Sequence, residues 1–244
     1  MKHTSVTQIA LVTPGDMQWR SRGRQHARAS LTYGRDKRTN AYDRLSGRCE
    51  RIIRAIIDTD TGARAPDATR RILRYRERSS DIQYLRFREL DAVIFDRDEP
   101  TPTHLIETKM SIHDRTERAC AQVERARMVA AIRWPELTGV GIWVDASCLV
   151  DDVRVRALPN TSPRELVDVI TRGTGSEPVA VRVELEALLV HARHLELLTE
   201  PVDELLATAR HAHRNRASAN TPRGYTEPGF EAGSSPFASL GNIG

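Results

Sequence analysis

Residues 138–146 read TGVGIWVDA, an apolar run whose first charge is Asp145. A strand written this way has no polar face, so it belongs at the centre of a sheet covered on both sides. The segments before it carry two different periods. From 41 to 58, Leu45, Cys49, Ile52, Ile53, Ile56 and Ile57 recur at helical spacing, and Asp60-Thr-Gly ends the segment. Asp67 is placed to cap a short basic helix through Arg74. Residues 84–96, YLRFRELDAVIFD, alternate and read as one strand. The turn chemistry of DRDEPTPT (96–103) leads into a second strand, HLIETKMS (104–111), the expected antiparallel partner of the first. An amphipathic helix follows over 112–133, with Ala119, Val123, Ala126, Val129 and Ala130 inward, and stops before Pro135.

Further on, Ser162-Pro163 introduces a helix to Arg172, 179–183 reads as a strand, and 184–198 and 202–213 read as helices. The order helix, strand, strand, helix, strand is that of a small α/β core. Three parts are expected: a basic N-terminal arm over 1–40, led by a strand or buried lead-in at 7–13, an α/β domain over 41–213, and a flexible Gly-, Ser- and Pro-rich tail over 214–244.

At 244 residues the chain can bury one good core. No apolar run approaches the roughly 18–20 residues of a membrane span. The patch in MKHTSVTQIALVTPGD is too short for a secretory leader, so a cytoplasmic protein without membrane partners is expected. Cys49, Cys120 and Cys148 lie far apart and outside any zinc spacing. His191 and His194 have no third ligand, and His211 and His213 sit in a basic run. The chain has no GxxxxGK[ST], GxGxxG or GxSxG, which speaks against ATP-driven, nicotinamide and serine-hydrolase chemistry.

Charge is segregated. Between Met17 and Arg54 eleven Arg or Lys face three Asp or Glu, and a second basic stretch runs from Arg70 to Arg88. Such clusters are an electrostatic footprint for a phosphate backbone, with Arg22, Arg24, Arg28, Arg35, Lys37, Arg38, Arg74 and Arg76 as the contacts expected. The positive charge is written almost entirely as arginine. Only Lys2, Lys37 and Lys109 are lysines, against 34 arginines. A lysine inside the strand HLIETKMS is therefore unusual for this chain.

Alternation puts Leu105, Glu107 and Lys109 on one face of that strand and Ile106, Thr108 and Met110 on the other. In the preceding strand Asp91 shares a face with Val93 and Phe95, and a hairpin can set it beside Glu107. Asp91, Glu107 and the main-chain carbonyl of Thr108 are hard oxygen ligands suited to Mg²⁺ or Mn²⁺. Lys109 beside them is a compact ammonium able to orient a water and offset developing negative charge. The plainer alternative is an exposed cross-strand ion pair, worth at most about 1 kcal/mol.

Asp91, then fifteen residues, then Glu107-Thr108-Lys109, with a helix directly after, resembles the PD-(D/E)xK nuclease superfamily. The resemblance covers about residues 41–147. It implies a restriction-endonuclease-like fold, a central mixed sheet flanked by helices, here with additional C-terminal helices. It also implies a leading helix with a further acidic residue, for which Glu50 is the match. Gln122 matches a glutamine that some members carry on the following helix. Leu90 stands where the name-giving proline would be, and Ala126 where some members carry a tyrosine. The activity implied is metal-dependent phosphodiester hydrolysis, in the first place of DNA, in restriction, antiphage-defence or mobile-element settings. Asp91, Glu107, Lys109 and Gln122 would be catalytic, and Glu50, Asp91, Glu107 and Thr108 would hold the metal. A homodimer, or a partner protein supplying target recognition, fits such a role. The alternative is a non-catalytic nucleic-acid-binding or assembly subunit that keeps the same core.

Overall fold

The computed structural model describes residues 4–23, 40–62, 69–79, 82–150, 156–173, 175 and 177–220. It is an α/β structure with two sheets, one mixed and one antiparallel. The mixed sheet has the order β4 (Ala92–Phe95), β5 (Pro102–Ser111), β6 (Thr138–Asp145), β7 (Val179–Glu184). β4 runs antiparallel to β5, with Ala92 opposite Ile106 and Val93 opposite Leu105. β6 runs parallel to β5, and β7 parallel to β6. All eight residues of β6 are buried, as its continuous apolar run requires.

Helix α1 (Ala41–Asp60) begins where the Asn40 side chain accepts from Asp43 N at 2.8 Å. It buries the six apolar residues that set its period. Gly62, at φ 62°, carries the chain out in the left-handed conformation that glycine adopts without strain. With α3 (Leu166–Arg172), α4 (Leu185–His194) and α5 (Val202–Asn220), it covers the sheet face of Ile106, Met110, Ile142, Val144, Val181 and Val183.

The other face is covered by α2 (Thr116–Ala130), the crossover between β5 and β6. Its Val123, Ala126 and Ala130 pack with Val93 and Leu105. Gly141 permits the close approach, since a Cβ there would lie 2.6 Å from Cys120 Sγ and 2.7 Å from Cys120 N.

The second sheet has the order β1 (Thr4–Val12), β2 (Ile72–Ser79), β3 (Ile82–Glu89), all antiparallel. Its Ile9 and Leu73 join the cluster under α2.

Several expectations change. The short helix through Arg74 is replaced by β2 from Ile72 on, and Asp67 lies outside the described residues. The charges had hidden a period of two, in which Leu73 and Tyr75 face the core cluster while Arg74, Arg76 and Arg78 face away. The single strand over 84–96 is two strands in different sheets. The chain changes partner at the break, where Leu90 N donates to Arg71 O and Asp91 N to Ile106 O. α2 starts at Thr116 because Asp114 Oδ1 accepts from Thr116 N at 2.8 Å. α3 starts only at Leu166, after a turn in which Glu165 N bonds Ser162 O. α4 is shorter than expected, ending at His194, and α5 is longer, running to Asn220 into the stretch read as tail. Residues 221–244 lie outside the described residues. In the stretch read as an arm, Thr4–Val12 is a paired strand and 17–23 are helical. Among the described residues no helix is long and apolar enough to cross a membrane.

Candidate active site at the junction of the two sheets

The break between β3 and β4 leaves the sheet edge beside β5 open at Asp91. Thr108 N donates to Asp91 Oδ2 at 2.6 Å. The polar backbone of Thr108 therefore faces the β4 side, two residues past the last strand pair at Ile106, and its carbonyl points the same way. Arg54 of α1 donates from Nε to the main-chain carbonyl of Asp91 at 2.6 Å, which pins this turn to the helix.

Glu107 is only 2 % exposed, an unusual state for a carboxylate in a sheet. Gln122 donates from Nε2 to its Oε1. Lys109 Nζ stands 3.8 Å from Oε2, and the lysine side chain is 26 % exposed. The Glu107 carboxyl is pushed up to about 8. Burial is the main cause, followed by the neighbouring Asp91 charge and a hydrogen bond between the two carboxyls. Lys109 and Arg88 pull the other way. Glu50, half-buried on α1, is raised by burial and then by Asp91, with Lys109 opposing.

The fold thus brings Asp91, Glu107, Lys109 and Gln122 to one spot, with Glu50 at its border. Among the described residues no three His, Cys, Asp or Glu side chains converge as a ready ligand set, so Glu50 stands outside the pair formed by Asp91 and Glu107. The donor set still suits a hard divalent cation. Two adjacent carboxylates, one held above its usual range by burial and then by the other's charge, are the arrangement that a cation relieves.

Of the expected backbone contacts, Arg24, Arg28, Arg35, Lys37 and Arg38 lie outside the described residues. Arg22 donates to Leu85 O at 3.1 Å and stacks over Phe87. Arg74 is paired with Asp16 at 3.0 Å, and Arg76 reaches Gln83 at 3.4 Å. Two residues of the site were not anticipated. Arg54 lies four residues beyond Glu50, one helical turn along the same face, which is a readable signal. Arg88 of β3 donates to the main-chain carbonyl of Gln122, and only the packing of the second sheet on α2 puts it there.

Comparison of the chain with protein-family models, with curated proteins and with solved structures finds no match.

Proposed function

We propose that this protein is a metal-dependent nuclease of the PD-(D/E)xK type that hydrolyses phosphodiester bonds, DNA in the first place. The observation that carries the reading is the meeting of Asp91, at the break just before β4, with Glu107 and Lys109 on β5, and with Gln122 bonded to the buried glutamate. Further support comes from the chain order. A helix precedes the antiparallel pair β4–β5, and α2 then crosses to a strand parallel to β5, the order expected of a restriction-endonuclease-like core.

Asp91, Glu107 and the carbonyl of Thr108 would hold Mg²⁺ or Mn²⁺, with Glu50 acting through water. Such an ion lowers the pKa of a bound water and neutralises charge on the phosphate. Gln122 holds one oxygen of Glu107, which leaves the other toward Lys109. The lysine ammonium, partly exposed, orients the attacking water and offsets charge on the phosphoryl oxygens. Restriction, antiphage defence and mobile-element cleavage are the settings such a core suits, alone as a homodimer or with a target-recognising partner.

A non-catalytic nucleic-acid-binding or assembly role is the second reading. It is favoured by the lack of a third converging carboxylate among the described residues. Plasmid and oligonucleotide cleavage with Mg²⁺, with Mn²⁺ and with EDTA separates the two. Metal-dependent cleavage is expected, and Lys109→Ala and Asp91→Ala should each reduce it by at least about a hundredfold while nucleic-acid retention stays near wild type. Unchanged cleavage in both variants would sink the site. Retention without cleavage under any metal would favour the second reading.

A further inference from the structure

The antiparallel sheet has two faces of different character. On one, Arg74 and Arg76 are engaged by Asp16, Gln18 and Gln83, and Phe87 lies under Trp19 with the ring centroids 5.7 Å apart. That face is covered by the chain's own residues 16–22. The other face is set by the pairs Leu73–Arg88, Tyr75–Arg86 and Glu77–Tyr84. Its base packs under α2 through Leu73 and Tyr75, while its outer part is open, with Tyr84 42 % exposed. Arg86 lies over the Tyr84 ring at 5.1 Å and pairs with Glu77 at 2.8 Å. At the inner end Arg88 bonds the carbonyl of Gln122, whose side chain holds Glu107.

Tyr84, Arg86 and Arg88 therefore form one line that leads from solvent to the carboxylates. Successive members stand two residues apart, about 6.8 Å along the strand. That is comparable to one nucleotide step of an extended single strand. An exposed ring on a sheet, with guanidinium groups in line, matches how unpaired nucleic acid is held, by base stacking and phosphate contact. A duplex keeps its bases stacked inward and gains nothing from Tyr84.

We propose that this face is a single-strand platform, that Tyr84 stacks on an unpaired base, and that Arg86 carries the adjoining backbone toward the site, leaving Glu77 when phosphate arrives. The substrate of the nuclease is then a single strand or the unpaired part of a branched or frayed duplex. The inference rests on the nuclease reading for its cleavage step and on the sheet alone for its binding step.

The test is fluorescence anisotropy in EDTA, where no cleavage occurs, with labelled oligodeoxyuridylate, oligouridylate and a blunt duplex of equal length. Both single strands should bind more tightly than the duplex, and a preference between them identifies the sugar that is read. Tyr84→Ala should weaken single-strand binding roughly tenfold, Tyr84→Phe should keep it, and Glu77→Gln, which frees Arg86, should strengthen it. A duplex bound as tightly as the single strands, or unchanged affinity in Tyr84→Ala, would overturn the platform. Tyr84-dependent binding without cleavage after Mg²⁺ or Mn²⁺ is added would overturn the nuclease reading and leave the platform standing.

Discussion

Glu107 concentrates the chemistry of the molecule in one carboxyl. Its ordinary value of 4.5 is pushed up to about 8, because burial disfavours its charge and Asp91 already carries one beside it. The folded chain therefore binds a proton here that the unfolded chain releases above pH 4.5. Stability linked to this group is complete below that value and lost as pH rises through about 8. Glu107→Gln puts an amide NH₂ where the shared proton sits and removes the dependence. Thermal melts between pH 6 and 9 in EDTA should show the wild type losing stability as pH rises, while the variant stays nearly flat and melts higher at pH 9. Mg²⁺ should restore the wild type at high pH and leave the variant unmoved. Parallel curves for the two proteins would argue against a buried, proton-sharing pair. That Glu107 and Lys109 share a face was legible from strand alternation alone, and the hairpin reading brought Asp91 beside Glu107. The depth of burial was not legible, because it depends on α2 and the second sheet.

Among the elements, α2 decides most. It covers the site face, supplies Gln122 and receives Arg88. Its seat on β6 depends on Gly141, where any side chain meets Cys120. Gly141→Ala should push α2 outward and cost about 1–3 kcal/mol, read from a lower urea midpoint with an unchanged slope. The same displacement should loosen the Gln122–Glu107 bond, so under the proposed nuclease function cleavage should fall further than stability does. A wild-type midpoint would mean that α2 has room to spare. The helix itself was readable from its apolar period, and so was the apolar strand beneath it. β2 was not, because three arginines on its outer face swamped the alternation of Leu73 and Tyr75. The break at Leu90–Asp91 was equally hidden. A run rich in aromatic and aliphatic residues on both sides of the break, with no Gly or Pro at it, gives no local sign that its two halves pair with different partners.

At the scale of the whole molecule, the far edge of the mixed sheet is tied by a buried charge cluster. The Asp145 side chain is fully buried and bonded to Arg156 at 3.1 Å and Arg182 at 2.9 Å. Burial pushes this carboxyl up, but hydrogen bonds from Ser147, Arg182 and Arg156 outweigh it and hold it below its usual value. Both guanidinium groups also flank the ring of Trp143. Asp145→Ala would leave two largely buried cations without their shared counter-charge, at a cost of about 3 kcal/mol. The expected signature is a lower melting temperature, together with faster hydrogen exchange in β7 and residues 156–161 than in α1. Uniform loss of protection would mean that the cluster holds the global fold rather than this edge.

What the sequence determined by itself is local. Periods of 3.6 and 2 told helix from strand, alternation assigned faces, and the uncharged run at 138–144 demanded a covered sheet. These follow from backbone geometry over a few residues and need no partner. The tertiary structure decided the rest: that β3 leaves the mixed sheet for a second one, that Glu107 loses its water, and that Arg88 and Arg54 reach the site. Each depends on pairing or packing between segments distant in the chain. Desolvation and strand partnership are properties of the neighbours, and no window of sequence contains them.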